Sequence, residues 1–203
     1  MHHAALNHLF GNIDLHLLDQ ILKGRYQPGM RLLDAGCGEG RNLPYFVRNG
    51  YDLWGVDTNP VALRLLRMQG RSWHPTFDPE KFIESDITEL PFPPTSFDAV
   101  LCLSVLHFAN DEGHFFRMTD ELLRVLKPSG SLLIRTNAPV ENNPLDLQAT
   151  SGRPDADEGD RLLLTPTLLN QFIERYPLTW LEPVRTEQVA GERPLVTLVL
   201  QKN

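Results

Sequence analysis

The run Asp34-Ala35-Gly36-Cys37-Gly38-Glu39-Gly40 constrains this chain more than any other segment of its length. It follows an apolar stretch, Arg31 to Ala35, that reads as a strand, and it precedes a segment from Arg41 to Gly50 that reads as a helix. Three glycines at alternate positions allow tight, positive-φ turns and let the backbone lie against a ligand with no Cβ in the way. A dinucleotide fingerprint needs its third glycine one place later, where Arg41 stands, and a nucleotide phosphate loop needs a Gly-Lys-Ser/Thr ending that is absent.

Around this turn, short β-branched or leucine-rich runs alternate with longer amphipathic segments, which predicts an α/β fold. A leading helix is expected over Ile13 to Gly24, with Ile13, Leu17, Leu18, Ile21 and Leu22 on one face. Strands are expected at Asp52 to Asp57, Lys81 to Ser85, Phe97 to Ser104 and Ser131 to Thr136, the most apolar of them, Phe97 to Ser104, being central. Helices are expected from Pro60 to Gly70, from Asp111 to Leu126 and from Thr165 to Tyr176. Thr179 to Glu187 and Leu195 to Gln201 are joined by too few residues for a parallel crossover, so they close the sheet as an antiparallel pair. The expected fold is therefore a doubly wound, mostly parallel, seven-stranded α/β sheet with an antiparallel C-terminal hairpin.

Composition narrows the partners. With 19 Lys and Arg against 26 Asp and Glu, the net charge of −7 has the wrong sign for a chain that holds phosphate backbones, so no nucleic acid is expected. The apolar share of 41% reaches the globular range once glycine is counted, which excludes wholesale disorder. No run approaches the length of a membrane span, and the first twenty residues lack Lys and Arg, so neither membrane insertion nor secretion is expected. Cys37 and Cys102 have no partners at metal-ligand spacing, so neither a metal site nor a disulfide framework is expected and a reducing cytoplasm fits best.

Taken together, these residues resemble the class I S-adenosylmethionine-dependent methyltransferases, whose first motif reads acidic-x-G-x-G-x-G at this strand-to-helix turn. The resemblance spans Arg31 to Arg135 and includes Gly50 to Asp57, Ser85-Asp86-Ile87, Leu90-Pro91-Phe92-Pro93 with Ser96 to Val100, and Leu126 to Gly130. It implies S-adenosyl-L-methionine as cofactor, held by Asp34, Gly36, Cys37, Gly38 and Gly40, by Asp57 and Thr58 at the ribose, by Asp86 and Ile87 at the adenine, and by Leu103 and Ser104 after the fourth strand. Asp34 has two readings, as a brace for the glycine loop or as a group near the methionyl end. Gly38 to Asn42 with Arg48 to Asp52 is most similar to the tellurite-resistance branch, and Leu-Pro-Phe-Pro to the quinone-biosynthesis branch.

The implied activity is methyl transfer to an O, N or S atom of a small-molecule acceptor. His107, just after the fourth strand, is the candidate general base, with packing duty as its other reading, while His2, His3, His8, His16, His74 and His114 show no ligand spacing and read as surface residues. Leu-Ser-Val-Leu-His after that strand replaces the Asn/Asp-Pro-Pro-aromatic signature of base-nitrogen methylation, which disfavours a nucleobase acceptor. A non-catalytic cofactor-binding module and a nicotinamide-dependent oxidoreductase are the rival functions. Residues 1–203 read as one domain, comprising an N-terminal helical cap (1–28), a cofactor-binding core (31–136), a candidate lid (137–161) and a closing helix and hairpin (162–203). The lid segment has six acids against two bases and little periodicity, so it reads as a cover over the acceptor or as a solvated strip.

Overall fold

The structure is a computed structural model and describes residues 10–139, 161–187 and 194–203. Its strands are β1 (Arg31–Ala35), β2 (Asp52–Asp57), β3 (Phe82–Glu84), β4 (Phe97–Leu103), β5 (Leu126–Asn137), β6 (Leu178–Trp180), β7 (Arg185–Glu187) and β8 (Leu195–Lys202). Its helices are α1 (Leu15–Leu22), α2 (Pro44–Arg48), α3 (Pro60–Trp73), α4 (Glu112–Val125) and α5 (Pro166–Arg175).

The sheet runs β3-β2-β1-β4-β5-β8-β6, with β7 also on β8. The first five strands are parallel, and β8 is antiparallel both to β5 and to the β6 and β7 segments. β8 thus inserts between β5 and the strand that precedes it in sequence. Alternate residues of each strand feed two apolar layers. Leu33, Ala35, Val56, Val100 and Cys102 pack with α4 and α5 residues such as Phe115, Leu122 and Phe172. Leu32, Leu53, Ala99, Leu101 and Leu103 pack with α1, α2 and α3 residues such as Leu17, Phe46 and Leu66. This is the doubly wound arrangement, and it explains why β4, covered on both faces, is apolar at nearly every position.

Local departures from the expected boundaries have identifiable causes. The expected strand from Thr179 to Glu187 is broken into β6 and β7, so eight segments fill seven positions. β6 leaves the ladder at Trp180↔Leu200 and β7 rejoins it at Arg185↔Thr197, and the interruption contains Pro183, which has no N–H to give. α2 starts only at Pro44, leaving Arg41 and Asn42 outside the helix. α3 passes through Gly70 instead of ending there, because that glycine admits the Phe77 ring: a Cβ would lie 2.2 Å from Phe77 Cζ. β5 begins earlier than expected, with residues 127–130 looped out between the Phe97↔Leu126 and Ala99↔Ser131 pairs. The expected turn of the closing hairpin lies outside the described residues.

Candidate functional site

The sheet order reverses between β1 and β4, and a crevice forms beyond the carboxyl ends of adjacent strands at such a switch point. A cavity of about 490 Å³ occupies it, lined by Gly36, Asp57, Thr58, Ser85, Asp86, Ile87, Ser104, Val105, Phe108, His114 and Met118. Four strand ends, those of β1 to β4, contribute to it.

The floor is the glycine turn. Gly36 N–H and Cys37 N–H both donate to Val56 O, at 2.8 and 3.0 Å, which folds the end of β1 onto β2. Gly36 has φ +86°, and a Cβ there would meet Val105 Cγ2 at 2.3 Å, so only glycine lets the loop pass beneath Val105, two residues after β4. Gly38 has φ +51° but open space, its nearest neighbour being Asp57 Oδ2 at 4.0 Å from an added Cβ. Its requirement is conformational.

Asp57 ends β2 and fastens two turns. Its Oδ2 accepts Gly38 N–H at 2.8 Å, and its Oδ1 accepts Asn59 N–H at 2.8 Å. Asn59 in turn caps α3, its Oδ1 accepting the N–H groups of Val61 and Ala62. One strand later, Asp86 Oδ1 accepts from Thr88 N and Thr88 Oγ1, both at 2.8 Å. The Thr88 backbone bond holds the Asp86 carboxyl below the usual carboxylate range, and its Oδ2 makes no hydrogen bond among the described residues. Ser104 turns the chain out of β4 in a left-handed conformation, φ +64°, tied by its N–H to Arg135 O at 2.7 Å.

The remaining sequence-predicted residues surround the cavity without lining it. Asp34 is buried, and its Oδ2 finds no hydrogen-bond partner among the described residues. Burial pushes its carboxyl up to about 7, opposed by the Arg41 cation and reinforced by Asp57. Cys37 and Leu103 are buried behind the wall, and Gly40 packs its turn beneath Trp73. Burial pushes the Cys37 and Cys102 thiols well above the ordinary thiol range. His107 is 4% exposed on the short turn Leu106–Phe108, and its neighbour Phe108, 58% exposed, forms the wall. The chain re-entering at Arg161 packs on the same turn, its guanidinium 5.0 Å from the Phe108 ring centre and Leu162 N–H bonded to His107 O at 3.0 Å. Residues 140–160, most of the expected lid, lie outside the described residues.

Two histidines that read as surface residues have places in the fold: His114 is half-buried and His16 buried. His114 lines the cavity, since Asp111 caps α4 through His114 N–H and sets its first turn over the crevice, and His114 Nδ1 accepts Asn110 N–H at 3.1 Å. Met118, one turn on, lies beside it in the lining, and this i, i+4 spacing was the available signal. His16 is buried against Glu187 at 2.9 Å. It belongs to a polar brace at the carboxyl end of β5. Asp14 caps α1, takes Arg135 Nη1 on its Oδ2 at 2.6 Å, and donates its own N–H to Asn42 Oδ1 at 3.0 Å. The leading helix is thereby pinned to the exit of the glycine turn.

The chain resembles known methyltransferases in sequence and in fold. The chain is 34% identical over 106 residues to a phthiotriol/phenolphthiotriol dimycocerosates methyltransferase of Mycobacterium leprae, covering 51% of this chain and 36% of that protein. It is 33% identical over 106 residues to sterol 24-C-methyltransferase ERG6B of Gibberella zeae, covering 51% and 27%. It is 35% identical over 107 residues to a demethylmenaquinone methyltransferase of Renibacterium salmoninarum, covering 53% and 41%. The match thus spans less than half the length of each relative. Among solved structures, a SAM-dependent methyltransferase of Methanosarcina mazei superposes with a TM-score of 0.70 at 21% identity, over 90% of this chain and 96% of that one. Magnesium protoporphyrin IX methyltransferase of Synechocystis PCC 6803 with bound SAM superposes at 0.69 and 15% identity, over 94% and 77%. These likenesses share the fold described above. Residues 33–134, half of the sequence, match the family described as a methyltransferase domain, and the chain belongs to that family.

Proposed function

We propose that this chain binds S-adenosyl-L-methionine in the switch-point cavity and transfers its methyl group to an O, N or S atom of a small molecule. The observation that carries the reading is the convergence of Gly36, Asp57, Asp86 and Ser104 on one cavity from four successive strand ends. Asp57 presents a carboxylate with lone pairs to spare beyond its two backbone bonds, suited to receiving vicinal ribose hydroxyls. Asp86 offers Oδ2 as an acceptor for an exocyclic amine, with Ile87, Met118 and Phe108 as apolar surface for a purine ring. Thr58 and Gly36 line the same space, Cys37 and Gly38 continue the turn behind it, and Asp34 lies behind that turn, where an ammonium group would offset the cost of its buried charge. Gly40, Leu103 and Ser104 shape the turn and the wall.

The sulfonium supplies an activated methyl group, so the residues need chiefly to align an acceptor and exclude water. Phe108, Val105 and Met118 supply the apolar wall for that. The buried position of His107 supports packing duty in preference to proton abstraction. The relatives act on a lipid, a sterol and a quinone precursor by name, which supports an apolar small-molecule acceptor here. Two free, buried cysteines support a reducing, cytoplasmic setting.

The test is transfer of tritium from methyl-labelled cofactor into a panel of quinol, phenol, sterol, thiol and amine acceptors. Label in one class confirms the reading and names the acceptor atom. Tight cofactor binding with no label transferred to any class, and none to a cell extract of small molecules, would leave a binding module in its place.

A further inference from the structure

The outer face of α3 carries a surface that methyl transfer does not use. In its 14 residues the helix has three cations, Arg64, Arg67 and Arg71, and no acid, in a chain whose net charge is −7. At 3.6 residues per turn, Ala62, Leu63, Leu66 and Gly70 fall on the buried side. Val61, Leu65 and Met68 fall on the opposite side at i, i+4 and i+7, with Arg64 and Arg71 beside them. Val61 is 65% and Met68 64% exposed, unusual for apolar side chains on a helix that already has a packed face. Arg64 and Arg71 are exposed and make no ion pair among the described residues, whereas Arg67 donates to Phe82 O and is held toward the sheet. Pro60, Arg64, Arg67, Met68 and Arg71 together line an open groove of about 430 Å³.

We propose that this face docks on an anionic phospholipid surface, Arg64 and Arg71 meeting headgroup phosphates while Val61, Leu65 and Met68 enter the headgroup boundary. Apolar side chains alone would suit any hydrophobic partner, and cations alone any anion. Their interleaving on one helix face, with no acid among them, is the chemistry of an interfacial membrane contact. Acids farther than about 8 Å are largely screened at physiological salt, so the net charge of the whole chain does not set the local charge of this face. Docking here also has a geometric consequence. Thr58 lines the cofactor cavity and Pro60 lines the groove, so the cavity lies next to the membrane-facing helix end, where a membrane-dissolved acceptor is at hand.

Co-sedimentation with vesicles tests it, using phosphatidylcholine alone and phosphatidylcholine with about 30% phosphatidylglycerol. The full chain is expected to sediment with the anionic vesicles and not with the neutral ones. Arg64→Ala/Arg71→Ala is expected to lower the partition coefficient about thirtyfold, the factor that two arginines at an anionic surface supply together. Val61→Ser/Met68→Ser is expected to lower it as well, in a manner that added salt does not mimic. All four positions are exposed, so thermal melts and cofactor affinity should match the parent, which separates this outcome from any failure of the methyl-transfer reading. Failure of the parent to bind anionic vesicles, stabilisation by inorganic phosphate alone, self-association through Met68 without vesicle binding, or equal binding by the arginine variant would each overturn the proposal.

Discussion

Asp57 Oδ2 accepts the Gly38 backbone N–H at 2.8 Å, so the acid that ends β2 grips the glycine turn that ends β1. The two features most diagnostic in the sequence are therefore one mechanical unit. Asp57→Ala is expected to keep the fold while losing about 1 kcal/mol of stability from the released Gly38 and Asn59 N–H groups. Cofactor affinity should fall by about 1.5–3 kcal/mol, the range for hydrogen bonds to a charged acceptor. Calorimetric titration checks this, and parental affinity in the variant would remove Asp57 from the ribose.

Gly36 and Val105 join the two sides of the switch point. Gly36→Ala places a Cβ 2.3 Å from Val105 Cγ2 and holds an L-residue at φ +86°, so a loss of about 2–4 kcal/mol is expected from overpacking and backbone strain together. Adding Val105→Ala should return the steric part and leave about 1–2 kcal/mol of backbone cost. A double-mutant cycle in urea measures the coupling, and strict additivity would mean that the two side chains do not clash.

Asp34 is expected to make stability and cofactor binding depend on pH. Burial raises its carboxyl from an ordinary value of 3.8 to about 7, so the folded state takes up a proton more readily than the unfolded chain. That contribution to stability is complete below the ordinary value and is lost as pH rises through about 7. An ammonium group bound beside Asp34 favours the carboxylate. Cofactor affinity should therefore strengthen from about pH 5.5 to about pH 7.5, with a proton released on binding at the acid end. Asp34→Asn should flatten both slopes. A parental affinity that is flat across this range contradicts the assignment of Asp34 to the cofactor's ammonium end.

Asp14 and Arg135 bind the leading helix to β5 through a 2.6 Å ion pair with the Asp14 side chain fully buried. Asp14→Ala removes a helix cap and leaves the Arg135 guanidinium, 15% exposed, with Glu187 as its one acidic partner among the described residues, so a loss of about 3 kcal/mol is expected in chemical denaturation. A loss under about 1 kcal/mol would mean that water replaces the pair at little cost.

Much of this was legible in the residues themselves. The α/β alternation located the strands because apolar runs covered on both faces, such as Phe97 to Leu103, have no other stable place, and the acids at Asp57 and Asp86 are where a crevice at strand ends requires polar groups. What local pattern hides depends on distant neighbours. Gly70 read as a helix stop because only the fold brings Phe77 against it. His16 and His114 read as surface because the partner of the first, Glu187, is far along the chain, and the second, half-buried, is set beside the cavity by the register of α4. Asp14, Asn42 and Arg135 share no local pattern that announces their pairing.

The most direct test of the cavity's function is equilibrium binding of S-adenosyl-L-methionine, S-adenosyl-L-homocysteine and NAD to the full chain. Micromolar dissociation constants are expected for the first two, and a thermal or urea stabilisation of about 2.7 kcal/mol at a hundredfold excess over the dissociation constant. NAD should neither bind nor stabilise, and Asp57→Ala should weaken both sulfur ligands together. Well-folded protein that responds to NAD, or that shows no heat and no stabilisation with either sulfur ligand, would contradict the assignment of this cavity to S-adenosyl-L-methionine.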